Sequence, residues 1–227
     1  AIETTAVGRP DIALSLRADA LGREDRAALA ACGVAYPREG SARPVDIRSA
    51  KAGDAHALSA LAARTFPEAC PPDLPREAID AFIAAELSPD MFEAVASQPE
   101  RYRILVADVD GALVGYTLTV VGEGAIPDEW WRPGKVEADA AYLSKCYVNA
   151  PWRGSGIADT LVERAVADAA QCGHTSVALG TNRANKPAQT FYKRHGFRRR
   201  STRSFAVGAV PHHDVVMVRH LTGADGR

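Results

Sequence analysis

The stretch from residue 146 to residue 158, Cys-Tyr-Val-Asn-Ala-Pro-Trp-Arg-Gly-Ser-Gly-Ile-Ala, limits the possible folds more than any other part of the chain. It reads as the end of a buried strand, a short loop and the first turn of a helix. Ile157, Leu161, Ala165, Val166 and Ala169 recur at helical spacing, with Asp159, Glu163, Arg164 and Asp168 on other faces. Gly173 supplies a left-handed stop. The helix is therefore predicted to begin among Arg153, Gly154, Ser155 and Gly156. Two glycines there remove side chains where a ligand would touch the main chain. The first-turn N–H groups have no acceptor within the helix, and the positive end of the dipole adds to them, so the place suits a phosphate.

Three phosphate loops are compatible with glycines in this position. A P-loop requires a lysine after the last glycine, and none follows. A dinucleotide fingerprint requires a small residue three positions after the second glycine, where Asp159 stands. The third pattern is Arg/Gln-x-x-Gly-x-Gly/Ala, matched by Arg153, Gly156 and Ala158. It resembles the pyrophosphate loop of the GNAT superfamily of acyl-CoA N-acyltransferases; for the glycines alone, a tight turn is the alternative. Downstream, Asn185-Lys-Pro-Ala-Gln-Thr-Phe-Tyr-Lys-Arg-His-Gly-Phe197 combines a helix cap, a first-turn proline and a glycine stop. Asn-x-x-Ala-x-x-Phe-Tyr-x-x-x-Gly-Phe resembles the second hallmark segment of the same superfamily. Within the superfamily the chain resembles the polyamine acetyltransferases.

Composition agrees with a soluble enzyme. The 227 residues are 47% hydrophobic, enough for one domain with a core and an extension. A formal net charge of −1 gives no general attraction for nucleic acid or membrane. No apolar run approaches the ~20 residues of a membrane span, and no signal peptide is visible. The four cysteines, Cys32, Cys70, Cys146 and Cys172, are scattered without a C-x-x-C pair, as expected of free thiols in the cytoplasm.

In chain order, residues 1–44 are an extension. Ile12, Leu14 and Leu16 alternate as in a strand, residues 23–32 read as a helix stopped by Gly33, and Pro37, Gly40 and Pro44 form a linker. The main domain is expected over 45–221, with a tail at 222–227. Its first strand spans 45–49, and helices follow over 54–65 and 76–87. A third helix is capped by Ser88. Residues 104–109 and 113–121 form a hairpin around Asp110-Gly111. Residues 122–139 are a polar loop holding Trp130, Trp131, Glu137 and Asp139, and two adjacent loop tryptophans cannot both be buried easily. The tryptophans suit a pocket wall or a subunit contact. Residues 141–148 are the central strand.

The resemblance implies an α/β (α+β) fold: a mixed, mainly antiparallel sheet of about six or seven strands, flanked by helices and splayed at the CoA cleft. It implies acetyl-CoA as cosubstrate, no metal, and a primary amine of a small molecule as acceptor; dimers are common among relatives, so a homodimer is compatible. Main-chain groups of Tyr147 and Val148 would hold the pantetheine arm, with the Val148 N–H polarising the thioester carbonyl. Arg153, Gly154, Ser155, Gly156, Ile157 and Ala158 would hold the pyrophosphate, and Asn185 would orient the cofactor. Phe66 and Glu68 lie in the segment that covers the acceptor in relatives, and Phe66, Trp130, Trp131 and Asp139 are the candidate acceptor contacts.

An alkyl amine, with a pKa near ~10.4, must lose a proton before attack, and the leaving thiolate must gain one. A tyrosine is neutral at pH 7 and can donate, and Tyr192 stands where the superfamily places that acid. The polyamine branch carries a glutamate three residues before the position of Tyr147; here that residue is Ser144, which can hold a water but is no base unaided. Glu137, Asp139 or a water wire are the other proton acceptors. No cysteine is expected where a covalent acyl-enzyme needs one, so transfer should be direct. Arg198 to Arg203 suits the CoA 3′-phosphate, an acidic partner or a solvated edge strand, and His212-His213-Asp214 lacks a third metal ligand at known spacing. An acetyltransferase of protein lysines or N-termini, and a non-catalytic CoA-binding module, are the alternative readings.

Overall fold

The computed structural model describes residues 7, 10–71, 74–127, 130, 135–207 and 210–221. Trp131 and the tail at 222–227 lie outside the described residues. Helices α1 (Pro10–Ser15) and α2 (Arg23–Ala31) come first, then the short strands β1 (Val34–Ala35) and β2 (Arg43–Pro44), which pair with each other. The main body follows as β3 (Asp46–Ser49), α3 (Ala55–Thr65), α4 (Arg76–Glu86), α5 (Pro89–Ala96), β4 (Tyr102–Val109), β5 (Ala112–Val120) and β6 (Ala141–Val148). It closes with α6 (Ile157–Gln171), β7 (Ser176–Asn182), α7 (Lys186–Arg194), β8 (Arg198–Val207) and β9 (Val210–His220).

Seven strands form one sheet in the order β3-β4-β5-β6-β7-β9-β8. Every neighbouring pair is antiparallel except β6 and β7. Helix α6 makes the crossover between those two, and its apolar stripe of Ile157, Leu161, Val162, Ala165, Val166 and Ala169 is buried against one face of the sheet. On the other face Leu58 and Leu61 of α3 and Phe92 of α5 pack on Ile104, Val106, Tyr116 and Leu118. The sheet therefore has a core on each face, which explains the long apolar runs of β4 and β5.

One expectation fails in the extension. Residues 12–16 are not a strand: Pro10 opens a helix that ends at Ser15. Ala13, in its middle, is fully buried, and the Tyr36 hydroxyl donates to the Ala13 and Leu16 carbonyls. The alternation of Ile12, Leu14 and Leu16 misleads because Ala13 is the residue that faces inward, while Ile12 is exposed.

Candidate active site

Strands β6 and β7 lie side by side over only two paired positions, Ala141 with Val177 and Tyr142 with Ala178. Beyond these both strands run on, β6 to Val148 and β7 to Asn182, without pairing, so they part into a cleft. The parting coincides with a register break against β5: Leu118 pairs with Lys145 and Thr119 with Leu143, leaving Ser144 as the bulged residue. At the far end of β6 the Asn149 N–H donates to the Val114 carbonyl on β5 (2.8 Å). Successive amides of a strand face opposite neighbours, so the Val148 N–H points into the cleft.

A cavity of about 730 Å³ occupies this cleft. One end is formed by Arg153, Gly154 and Ala158, where the sequence suits a phosphate, and Ser144, Tyr147 and Val148 of β6 also line it. Gly154 and Gly156 have φ values of 83° and 89°, conformations that L-residues with a Cβ avoid, and Gly156 caps α6 from that geometry. A Cβ on Gly154 would meet nothing within 4 Å, so the main chain there lies open to a ligand. Ser155, Gly156 and Ile157 are buried and do not line the cavity; the Ser155 N–H donates to the Trp152 carbonyl (3.3 Å) and the Ile157 N–H to Ser155 Oγ (3.4 Å). The Arg153 Nε donates to the Val148 carbonyl (3.2 Å), and its terminal nitrogen pairs with Glu68. Asn185 lines the cavity while its Oδ1 accepts from the Ala188 N–H (3.0 Å), capping α7.

Tyr192 lines the cavity from α7, half-buried against the core and edge-on to Phe197 at 5.7 Å. Burial raises its pKa further, as do the neighbouring Cys146 and Tyr147, so the phenol stays protonated at neutral pH. Cys146 corrects an expectation. The structure does put a cysteine on the cleft wall, packed against the same core as Tyr192. Burial pushes this thiol up to about 12, which removes the thiolate that covalent catalysis needs.

The other half of the cavity is lined by the loop after α3 and by α4. Phe66 lines it and stacks on Phe82, with ring centroids 4.6 Å apart and planes 12° from parallel. Trp130 does not reach it: the ring is fully buried behind β7, edge-on to Tyr142 at 4.8 Å and under the Arg203 guanidinium at 4.7 Å. Arg203 in turn donates to Asp214 Oδ2 (3.1 Å), and both line the cavity. Asp139 sits at the paired end of β6 and β7, where its carboxylate accepts from Thr175 Oγ1 (2.7 Å). Neither Asp139 nor Glu137 is among the lining residues, whereas Ser144 is. Sequence reasoning did not single out Lys145, which also lines the cavity and whose amine burial holds below its ordinary range against the pull of Glu86. Its signal was its place beside Ser144 on the central strand.

A helix that opens on two glycines, a strand pair that parts beside it and a phenol over the gap are the features expected of an acyl-CoA-dependent acyltransferase. The GNAT acetyltransferase family model matches residues 56–197, and the chain belongs to that family. An uncharacterized N-acetyltransferase of Mycobacterium tuberculosis and one of Mycobacterium bovis are each 40% identical over 168 residues, 74% of this chain and 98% of theirs. Among solved structures, the PaiA N-acetyltransferase of Thermoplasma acidophilum in complex with coenzyme A covers 78% of this chain and 99% of its own, with a TM-score of 0.62 at 18% identity. The yncA protein of Salmonella typhimurium with acetyl-CoA covers 81% and 97%, with a TM-score of 0.55 at 20% identity. The ribosomal-protein-S18-alanine N-acetyltransferase of Escherichia coli covers 81% and 99%, with a TM-score of 0.54 at 17% identity. At these identities the structures share the fold alone.

Proposed function

We propose that this acetyltransferase moves the acetyl group of acetyl-CoA onto a primary amine of a small molecule, by direct attack within a ternary complex. The observation that carries the small-molecule reading is the roof. Phe66 and Phe82 stack above the acceptor half, and the Glu68–Arg153 pair ties that roof to the phosphate loop, which suits a compact amine better than a polypeptide. Solved structures of the same fold that hold coenzyme A or acetyl-CoA support the cosubstrate.

Arg153 and the main chain of Gly154 and Ala158, which reach the cavity, bind the diphosphate, and the Asn185 side chain orients the cofactor from the start of α7. The Val148 N–H, already aimed into the cleft, stabilises the oxyanion as the amine nitrogen adds to the thioester carbon. The carbon–sulfur bond then breaks, and Tyr192 gives its proton to the departing thiolate. The amine loses its proton through water held at the bulge, where Ser144 and the Lys145 amine share the cavity wall. Four free, scattered thiols suit a reducing compartment such as the cytoplasm.

The test is release of free CoA on incubation with acetyl-CoA and pools of polyamines, amino acids, aminoglycosides and peptides. Release with a small-amine pool is expected. Release with peptides alone would move the assignment to protein acetylation, and tight CoA binding with no release from any pool would mark a non-catalytic module.

A further inference from the structure

We infer that the segment before the family domain is a working part of the cofactor site, and that Arg23 contributes a phosphate contact to it. The inference rests on acetyl-CoA being the cosubstrate. The family model begins at residue 56, so nothing in it accounts for α2. Yet α2 lies directly on the phosphate loop. A Cβ built on Gly156 would stand 2.7 Å from the Ala27 Cα and closer still to the Arg26 carbonyl. The opposite end of the same loop is held by the Arg38 N–H, which donates to the Pro151 carbonyl (2.8 Å). The loop that must present its amides to a diphosphate is thus gripped by the extension at both ends.

Arg23 follows from the helix geometry. It is one turn before Ala27 on the same face, so the contact of Ala27 with Gly156 aims Arg23 over the loop. Arg23 is exposed and lines the same cavity as Arg153 and Gly154. The nearby Arg26 is committed elsewhere: it donates to the Ala18 carbonyl (2.8 Å) and lies over the Tyr36 ring, holding the extension together. Among the described residues Arg23 has no carboxylate partner, and Arg153 is already shared with Glu68. A guanidinium with open donors at the mouth of a phosphate site suits a forked contact to phosphate oxygens.

The experiment is calorimetric titration of the full chain and of Arg23→Ala and Arg23→Lys with CoA and with dephospho-CoA, which lacks the 3′-phosphate. Arg23→Ala is expected to weaken CoA about tenfold, with Arg23→Lys intermediate and the melting temperature unchanged. A loss seen with CoA and absent with dephospho-CoA assigns Arg23 to the 3′-phosphate; an equal loss with both assigns it to the diphosphate. Equal CoA affinity of wild type and Arg23→Ala overturns the inference. Failure of the wild type to bind CoA at all overturns the functional reading instead. As a readout independent of affinity, the ³¹P resonances of bound CoA should shift between wild type and Arg23→Ala at saturation.

Discussion

Glu68 and Arg153, 85 residues apart in sequence, form an ion pair across the mouth of the cleft. One belongs to the roof of the cleft and the other opens the glycine loop, so a carboxylate pairs with the cation proposed here for the diphosphate. Both side chains are 43% exposed, which limits the pair to about 0.2–1 kcal/mol. Glu68→Gln should therefore tighten CoA by up to about fivefold, and Arg153→Ala should weaken it. Calorimetry reads both, and weaker CoA binding in Glu68→Gln would remove Glu68 as a competitor.

Tyr192→Phe keeps the ring that packs on Phe197 and removes only the hydroxyl. If that hydroxyl protonates the leaving thiolate, kcat should fall by about 10² or more while CoA affinity stays within a factor of two. Stopped-flow detection of thiol release separates the two quantities. Normal turnover at saturation combined with lost affinity would make Tyr192 a binding residue only.

His195 caps the C-terminal end of α7 and bonds Asp159 (3.1 Å) and Glu163 (2.7 Å) on α6, so it joins two helices that line the cleft. Burial pulls its pKa down, but the two carboxylates outweigh that and raise it from 6.5 to about 9. Glu163 moves the other way, to about 2, held there by His195 against its own burial and helped by Arg219. A raised histidine stabilises fully below its unfolded pKa and loses that contribution as pH climbs through the folded one. A lowered carboxylate stabilises above its unfolded pKa and loses that as pH falls. Stability should thus decline from about pH 6.5 towards pH 9 and again below about pH 4.5. With Glu163 half exposed, the alkaline loss should be about 1 kcal/mol, or about 2–4 °C in melting temperature. His195→Gln should flatten the alkaline limb of a melting-temperature profile; an unchanged limb would assign the decline to other groups.

Local signals were legible in the sequence and distant contacts were not. The start of α6 was readable because a glycine pair and a helical apolar stripe lie within one short stretch, and the Asn185 cap likewise needs only its own turn. The seven-stranded, parting sheet came through resemblance carried by those two segments. Trp130 defied local reading: its burial depends on Gly180 of β7, where even a Cβ would come within 2.8 Å of the indole. The same holds for Asp214, whose role depends on Arg203 from the neighbouring strand and not on the histidines beside it. Cys146 looked inert on the chain, and only the approach of α7 brings its sulfur to Tyr192.

Trp130 separates packing from substrate contact. Trp130→Ala deletes a ring fully buried among Val136, Ala178, Val216 and Val218 and should cost about 3–5 kcal/mol. Phe66→Ala removes one ring of a stacked pair that faces the cavity, and should raise KM for the amine with a smaller stability cost. Denaturant melts and steady-state kinetics on both variants check the contrast. A raised amine KM with unchanged stability in Trp130→Ala would make that tryptophan part of the pocket wall.

The two loop glycines should respond differently to the same substitution, because one is confined and the other is not. Both have positive φ, so Ala at either pays about 1–2 kcal/mol for the left-handed conformation. At Gly154 that is the whole effect, since the new methyl meets open space. At Gly156 the methyl also drives into Ala27 and the Arg26 carbonyl of α2, adding about 1–3 kcal/mol of overpacking unless the extension lifts away. Gly156→Ala should therefore melt lower than Gly154→Ala by a further 2–4 °C for each ~1 kcal/mol, and α2 should lose amide-exchange protection while α3 keeps it. Thermal melts with hydrogen exchange on both variants measure this. Equal melting temperatures with unchanged exchange in α2 would show that the helix does not bear on the loop.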